Sequence, residues 1–543
     1  MSWYNTDKAN GTVCERNIKG EINMKKYISA IAALMLVASV SACGTTAATT
    51  SASEQTSAAE TAAAVTEQSE NTAETDNSAD TASEKPDGDN GNTPPDMPDG
   101  ETPPDKPDGE GGGHGETPPD KPDGEGGGHG GAPGGGSSSE VIYGGSAEIT
   151  AAASEDGKTY ASDTSDQSAL MISTSDAVTV SGMTVTKTGD SDGGDNCNFY
   201  GQNAAVLVKG GTTTTITGGT VTSDASGANG VFCYGGNGGN NGASGDGTTL
   251  IIKDTVITTT GSGSGGIMTT GGGITEAYDL TVTTSGQSSA PIRTDRGGGT
   301  VTVDGGTYTS NGLGSPAIYS TADITVSNAQ LVSNLSEGVC IEGLNSITLN
   351  NCDLTANNTK RNGNAKFLDT IMIYQSMSGD AASGTSSFTM TGGSLTSKNG
   401  HVFHVTNTSA VITLSGVKIT NEDSGNVLLS VCDDGWSGGS NTGVLNASGQ
   451  TLEGAVLVGS NSELTLNLTD SSSFTGYISG NITNDAGDTV STEIGTVSVT
   501  LGSGCTWTLT GDSYVTSFDG DPASIISNGY TLYVNGIALT GTN

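Results

Sequence analysis

Two basic residues, Arg293 and Arg296, stand on either side of Asp295 in the stretch APIRTDRGGGTVTVDGG, and no other Lys or Arg occurs between Lys253 and Lys360. A guanidinium is planar and forks onto a carboxylate, so such a pair suits the grip on an acidic sugar polymer. Tyr319 offers a ring to stack on a sugar face, and Glu342 supplies a second acid near Asp295 in the repeat. The competing reading of Arg293 to Arg296 is a local Arg–Asp bridge that holds a turn and contributes little energy. A second cluster lies in TGDSDGGDNCNFYGQN, which gathers Asp190, Asp192, Asp195, Asn196 and Asn198. Flexible oxygen donors of this kind suit calcium, the one ion the sequence invites, although no cofactor is required by it. The twelfth position from Asp190 is Gly201, so the segment is not an EF-hand loop, and Asp, Asn and Gly also populate ordinary turns freely.

Two further groups are weaker. CDDGWSGG sets Asp433 and Asp434 beside Trp436, an attractive pairing for a sugar, but a glycosidase needs two carboxyls facing each other across a cleft. Adjacent strand residues point to opposite faces. His401 and His404 flank Phe403, fall on opposite faces of a regular strand, and have no nucleophile close in sequence, so no triad is expected and no catalytic residue is assigned.

These residues must be positioned by a chain of unusual composition. It has 543 residues, 84 glycines, 4% aromatics and a formal net charge of -40. A conventional globular core is not expected from that mix. That acidity disfavours nucleic acid as a partner, and after Lys418 there is no Lys or Arg at all, so the C-terminal part is uniformly anionic.

The N-terminal part reads as targeting and reach. MKKYISAIAALMLVASVSACG, from Met24, has a basic end, a short apolar segment and small residues before Cys43. That is the pattern of a secretory signal peptide, too short for a comfortable membrane span. Residues 1–23 read as an upstream extension from an over-extended translation start, and 24–43 as the signal. From 44 to 139 the chain turns to Ala/Thr/Ser/Glu and then to Pro/Asp/Gly, with GETPPDKPDGEGGGH at Gly100–His114 repeated unchanged at Gly115–His129. Low apolar content with Pro and Gly throughout predicts a disordered tether with a random-coil span of roughly 50 to 60 Å. His114 and His129 lack companion ligands and read as part of the solvated tether.

From 140 to 543 short Thr/Val/Ile strands alternate with Gly, Asn, Asp and Ser. Units such as GGIMTTGGGITEAYDLTVTTSGQSS from Gly265, APIRTDRGGGTVTVDGGTYTSNGLGS from Ala290 and PAIYSTADITVSNAQLVSNLSE from Pro316 repeat the order strand, turn, strand, corner, strand. A period of roughly 20 to 30 residues with three strands makes each unit one coil of a solenoid, stacked at about 4.8 Å per step. The expected fold is all-β, a single-stranded parallel β-helix, with residues 436–543 as less regular coils or a cap. Aligning the units places Ile292 inward with Leu207, Phe232, Ile267, Ile318 and Phe403. Arg293 then lies outward, facing solvent, in a ladder with Val208, Cys233, Met268, Tyr319, Ile341 and His404. The six cysteines after Cys43 are widely scattered without a C-x-x-C pair and read as small buried residues.

Val40-Ser41-Ala42-Cys43 resembles the lipobox of bacterial lipoproteins, which implies lipidation at Cys43 and anchoring to a bacterial membrane through that lipid alone. The repeat resembles the right-handed parallel β-helix superfamily of pectate lyases, polygalacturonases and bacterial surface adhesins. It is similar more narrowly to tethered β-helix lipoproteins described as adhesin-like or carbohydrate-binding. The resemblance implies an extracytoplasmic protein that binds a polysaccharide or a cell-surface glycan. In pectate lyases an Arg or Lys removes a proton beside a calcium-bound carboxylate; Arg293 is its counterpart here, but only Asp295 and Glu342 stand near as ligands, which favours binding over catalysis. A lyase or hydrolase on the same scaffold and a surface spacer without a ligand are the rival expectations.

Overall fold

The computed structural model describes residues 141–238, 244–361, 363–436 and 439–543. The expected signal peptide at 24–43 with Cys43, and the expected tether at 44–139, lie outside them. The described residues form an all-β parallel β-helix. One coil supplies the strands Ile292–Thr294, Gly299–Asp304 and Thr307–Ser310, and each pairs in parallel with its counterpart on the coils before and after. The first strands of successive coils build a 13-stranded sheet, called here the short-strand sheet. The second and third strands join in one 22-stranded sheet, because Val178–Lys187 and Thr213–Ser223 run through the corner between those two faces.

Val, Ile, Leu and Phe at alternate positions fill a continuous core between the faces, as the coil-to-coil column Val303, Val326, Leu349, Met390, Leu414 illustrates. Each inward residue stacks on its equivalent, so aliphatic side chains close the interior and few aromatics are needed. The corners explain the Gly/Asn/Asp bias. At the bend after the long strand, Asp279, Gly305, Asn328 and Asn351 occupy one position on four coils with φ of 51°, 78°, 57° and 53°. Only glycine and short Asx side chains enter that left-handed region at low cost. The Asn328 amide then donates to Asp304 at 2.7 Å and the Asn351 amide to Asn328 at 3.1 Å, so the corner is stitched from coil to coil.

After Trp436 the coils continue in parallel through Ser517–Asp519, and two small antiparallel pairs appear, one of them Leu532–Val534 with Ile537–Ala538 at the end of the chain. All six described cysteines are buried and free.

The alignment of the first strand needs correction in three coils. Ile292 stacks on Ile267, then Val231, Val206 and Leu170, so Leu207 and Phe232 belong to the outward column, while Val208 and Cys233 turn inward. Cys340, not Ile341, continues that column beyond Tyr319. The cause is local: AVLV, VFC and VCI are unbroken apolar runs, and such a run gives either parity an equally hydrophobic inner face.

Candidate functional site

The outward column of the short-strand sheet runs Met171, Leu207, Phe232, Met268, Arg293, Tyr319, Cys340, Met372, His404, Ser430, Leu457. It does not face solvent as the sequence suggested. Most of these residues are buried, and the Arg293 side chain is 11% exposed. The reason is a roof of inserted segments. TGDSDGGDNCNFYGQN folds into the short helix Asp195–Tyr200, whose Phe199 carbonyl accepts from Thr270 at 2.7 Å; the segments after Asn357, after Tyr374 and after Val431 cover the later coils.

Under this roof the five residues selected for ligand binding come together. Arg293 donates to Asp295 at 2.9 Å and to the Ser288 carbonyl at 3.2 Å. Asp295 accepts from the Arg296 backbone N–H at 2.9 Å. Arg296 reaches across to Asp380 at 2.7 Å and lies 4.1 Å over the Phe199 ring. Glu342, 1% exposed, is a hub: one carboxylate oxygen accepts from Tyr319 at 2.5 Å and Tyr374 at 3.2 Å, the other from Ser376 and Ser378. Burial pushes the Asp295 carboxyl up to about 6, against the pull of Arg293 and with help from the nearby Asp380 and Glu342 charges. Burial and the Glu342 charge hold the Tyr319 and Tyr374 phenols protonated, so both remain hydrogen-bond donors.

Both guanidiniums are therefore engaged inside the protein. They position the loop that follows Tyr374 and do not present a free fork. Three coils farther along the same sheet, Trp436 packs on Tyr374 with ring centres 4.9 Å apart at 54°, and both are half-buried. Sequence reasoning picked out Trp436 but missed Tyr374, Ser376 and Asp380; the last lies 84 residues from Arg296. Two shallow depressions, one lined by Gly235, Asn237 and Asp246 and one by Ser460, Thr489 and Glu493, have no lining residue in common with this patch.

The expectation that the two histidines fall on opposite faces is overturned. His401 and His404 face the same side, because Val402 and Phe403 both turn into the core at the corner. Each Nδ1 lies 2.7 Å from the Ser430 hydroxyl, the next coil's member of the outward column, and His404 Nε2 lies 3.0 Å from Asp434. One proton assignment satisfies all three contacts when Asp434 is ionised: His404 donates from Nε2 to Asp434 and accepts from Ser430, and His401 donates to Ser430. The parts resemble an acyl-transfer triad. His404 and Ser430 are fully buried, however, and Phe367 covers both imidazoles at 5.0 Å between ring centres, so the network braces two coils and the roof. The backbone N–H groups of Lys366 and Gly435 donate to the second Asp434 oxygen, both at 2.6 Å. Asp433 points away, exposed, and accepts from Asn441 at 2.6 Å.

Asp190, Asp192 and Asp195 are all exposed, and Asp190 caps the Ser226 backbone N–H at 2.7 Å. Among the described residues no three His, Cys, Asp or Glu side chains gather as a metal centre, so the calcium expectation at these three positions gains no geometry. The fold and site define an all-β parallel β-helix protein with a roofed polar seam along one sheet. No family model, curated protein or solved structure matches the chain.

Proposed function

We propose that the protein is a glycan-binding surface lipoprotein, anchored through Cys43 and extended on its tether, whose binding patch centres on Trp436 and Tyr374. The observation that carries this reading is the Trp436–Tyr374 ring pair standing on the Glu342 hub. Aromatic faces beside fixed hydrogen-bonding groups suit the C–H face and hydroxyls of a sugar ring. Because Arg293 and Arg296 spend their charge on Asp295 and Asp380, the patch favours neutral over acidic polymers. Asp295, whose carboxyl burial pushes up to about 6, is the candidate general acid of the rival hydrolase reading, which must also account for its burial and its bonds to Arg293 and the Arg296 N–H.

Native gels of the full chain cast with neutral and with acidic polysaccharides test both. Retardation by neutral polymer that Trp436→Ala weakens about tenfold, with no loss of polymer, is the expected result. Cleared polymer that depends on Asp295 would transfer the reading to the hydrolase, and unchanged mobility in every gel would leave the spacer.

A further inference from the structure

The seam contains a polar cluster that its own side chains do not satisfy. Glu337 lies two residues before Val339 and Asp369 two before Ile371, and Val339 pairs with Ile371. The two carboxylates thus occupy the same corner on successive coils, at a rise of about 4.8 Å. Both are buried, at 3% and 1% exposure, as is Asn358 at 1%. Asn358 donates to the Asp369 carbonyl at 3.1 Å, and its amide also stands against Glu337. Ser336 donates to one Glu337 oxygen. Three buried oxygens remain without a partner: both of Asp369 and Oδ1 of Asn358.

Buried carboxylates persist when they are paired or bind metal, and an orphaned one carries the full cost of its desolvation. Among the described residues no cation pairs with this one. The charges that act on Asp369 are Glu337, Asp434 and Asp485, all acidic. A proton shared between Asp369 and Glu337 would satisfy one Asp369 oxygen and leave the other, with Asn358 Oδ1, unpartnered. A divalent cation bound at this corner would give these oxygens a partner that a single proton does not.

We propose that Glu337, Asp369 and Asn358 hold a buried divalent cation, with calcium preferred, that clamps two adjacent coils beneath the roof. The donors are all oxygen, which excludes a soft-metal preference. Calcium accepts irregular oxygen shells, whereas magnesium demands near-octahedral geometry and keeps its waters. His401 occupies the next coil's equivalent position but engages Ser430 through Nδ1, so it does not compete as a ligand. The cradle has only two carboxylates, the third side-chain donor being an amide, and it is separate from the exposed Asp190–Asp195 loop.

The test is calorimetric titration of calcium chloride into the full chain after dialysis against a chelator, with thermal melting as a second readout. Saturable uptake of about one ion and a higher melting temperature are expected. Asp369→Asn should abolish both, and Glu337→Gln should weaken binding at least about tenfold. The wild-type titration needs no variant to fold. Absence of uptake overturns the proposal and leaves the shared proton; so does uptake that survives in Asp369→Asn but disappears when Asp190 and Asp192 are changed to Asn.

Discussion

The short-strand sheet and the long-strand face have the same coil rise and opposite outer surfaces. Outside the short strands the column is Leu207, Phe232, Met268, Arg293, Tyr319, Cys340, Met372, His404, Ser430, nearly all beneath the roof. Outside the long strands the column is Thr302, Thr325, Thr348, Thr389, Thr413, Asn446, Asn467, each partly or fully solvated. A solenoid face left to water settles on β-branched hydroxyls that suit the pleat and need no partner. The covered face acquires charges and imidazoles that must be answered group by group. Chemistry therefore belongs to the roofed face, and its energetics should be steep where those of the open face are flat.

Acid offers the largest test of that contrast. Burial, with the neighbouring His404, lowers the His401 pKa to about 3, from an ordinary 6.5. The folded state thus keeps His401 neutral over a range in which the unfolded chain takes up a proton. Its contribution is complete above pH 6.5 and is lost as pH falls from there toward 3. At about 1.4 kcal/mol per pKa unit the loss is roughly 4 to 5 kcal/mol. Asp295 runs the other way: its raised pKa favours the fold at low pH and loses that advantage as pH rises through about 6. Urea melts of wild type and His401→Gln between pH 4 and 8 separate the two, since the stability difference between the proteins should change by several kcal/mol across pH 6.5 to 4. A difference independent of pH would mean that the roof admits water to His401.

Asp295→Ala comes next. It strands the Arg293 guanidinium, which is 11% exposed, and should cost about 3 kcal/mol at neutral pH. Asp295→Asn keeps a hydrogen-bond acceptor for Arg293 and should cost less. Equal losses would indicate that packing of the loop, rather than the ion pair, is what Asp295 provides.

How much of this was visible in the sequence follows from the same contrast. The coil period, the corners and the inward ladder are legible because every coil repeats them, and a repeated Val/Ile alternation or Gly/Asn bend identifies its own role. Arg293, Tyr319 and His404 were legible as one outward column for that reason. The roof was not, because each covering segment occurs once. The partnership of Arg296 with Asp380 and the meeting of His404 with Ser430 arise from segments on different coils. One signal was present and would have placed the histidines: Ala169-Leu170, Ala205-Val206, Ala317-Ile318, Val402-Phe403 and Leu428-Leu429 are consecutive inward pairs at one corner. Such a pair shifts the parity of everything before it, and so brings His401 round to the side of His404.

The smallest effect is the most exposed to refutation. Thr348 sits mid-column on the open face, between Thr325 and Thr389, half-exposed, with its inward neighbours Ile347 and Leu349 filling the core. Thr348→Lys leaves the inner face untouched, and a long side chain can leave the sheet for water, so stability should change by no more than about 0.5 kcal/mol. Glycan retardation should not change either, since Tyr374 belongs to the other sheet and Trp436 to the segment that covers it. A loss beyond about 1 kcal/mol, or a change in sedimentation behaviour, would show that the threonine face is covered in solution, and a second copy of the chain would be the first partner to seek. The contrast between the two faces would then lie in what covers each one, a roof carried by the same chain or a neighbour recruited from outside.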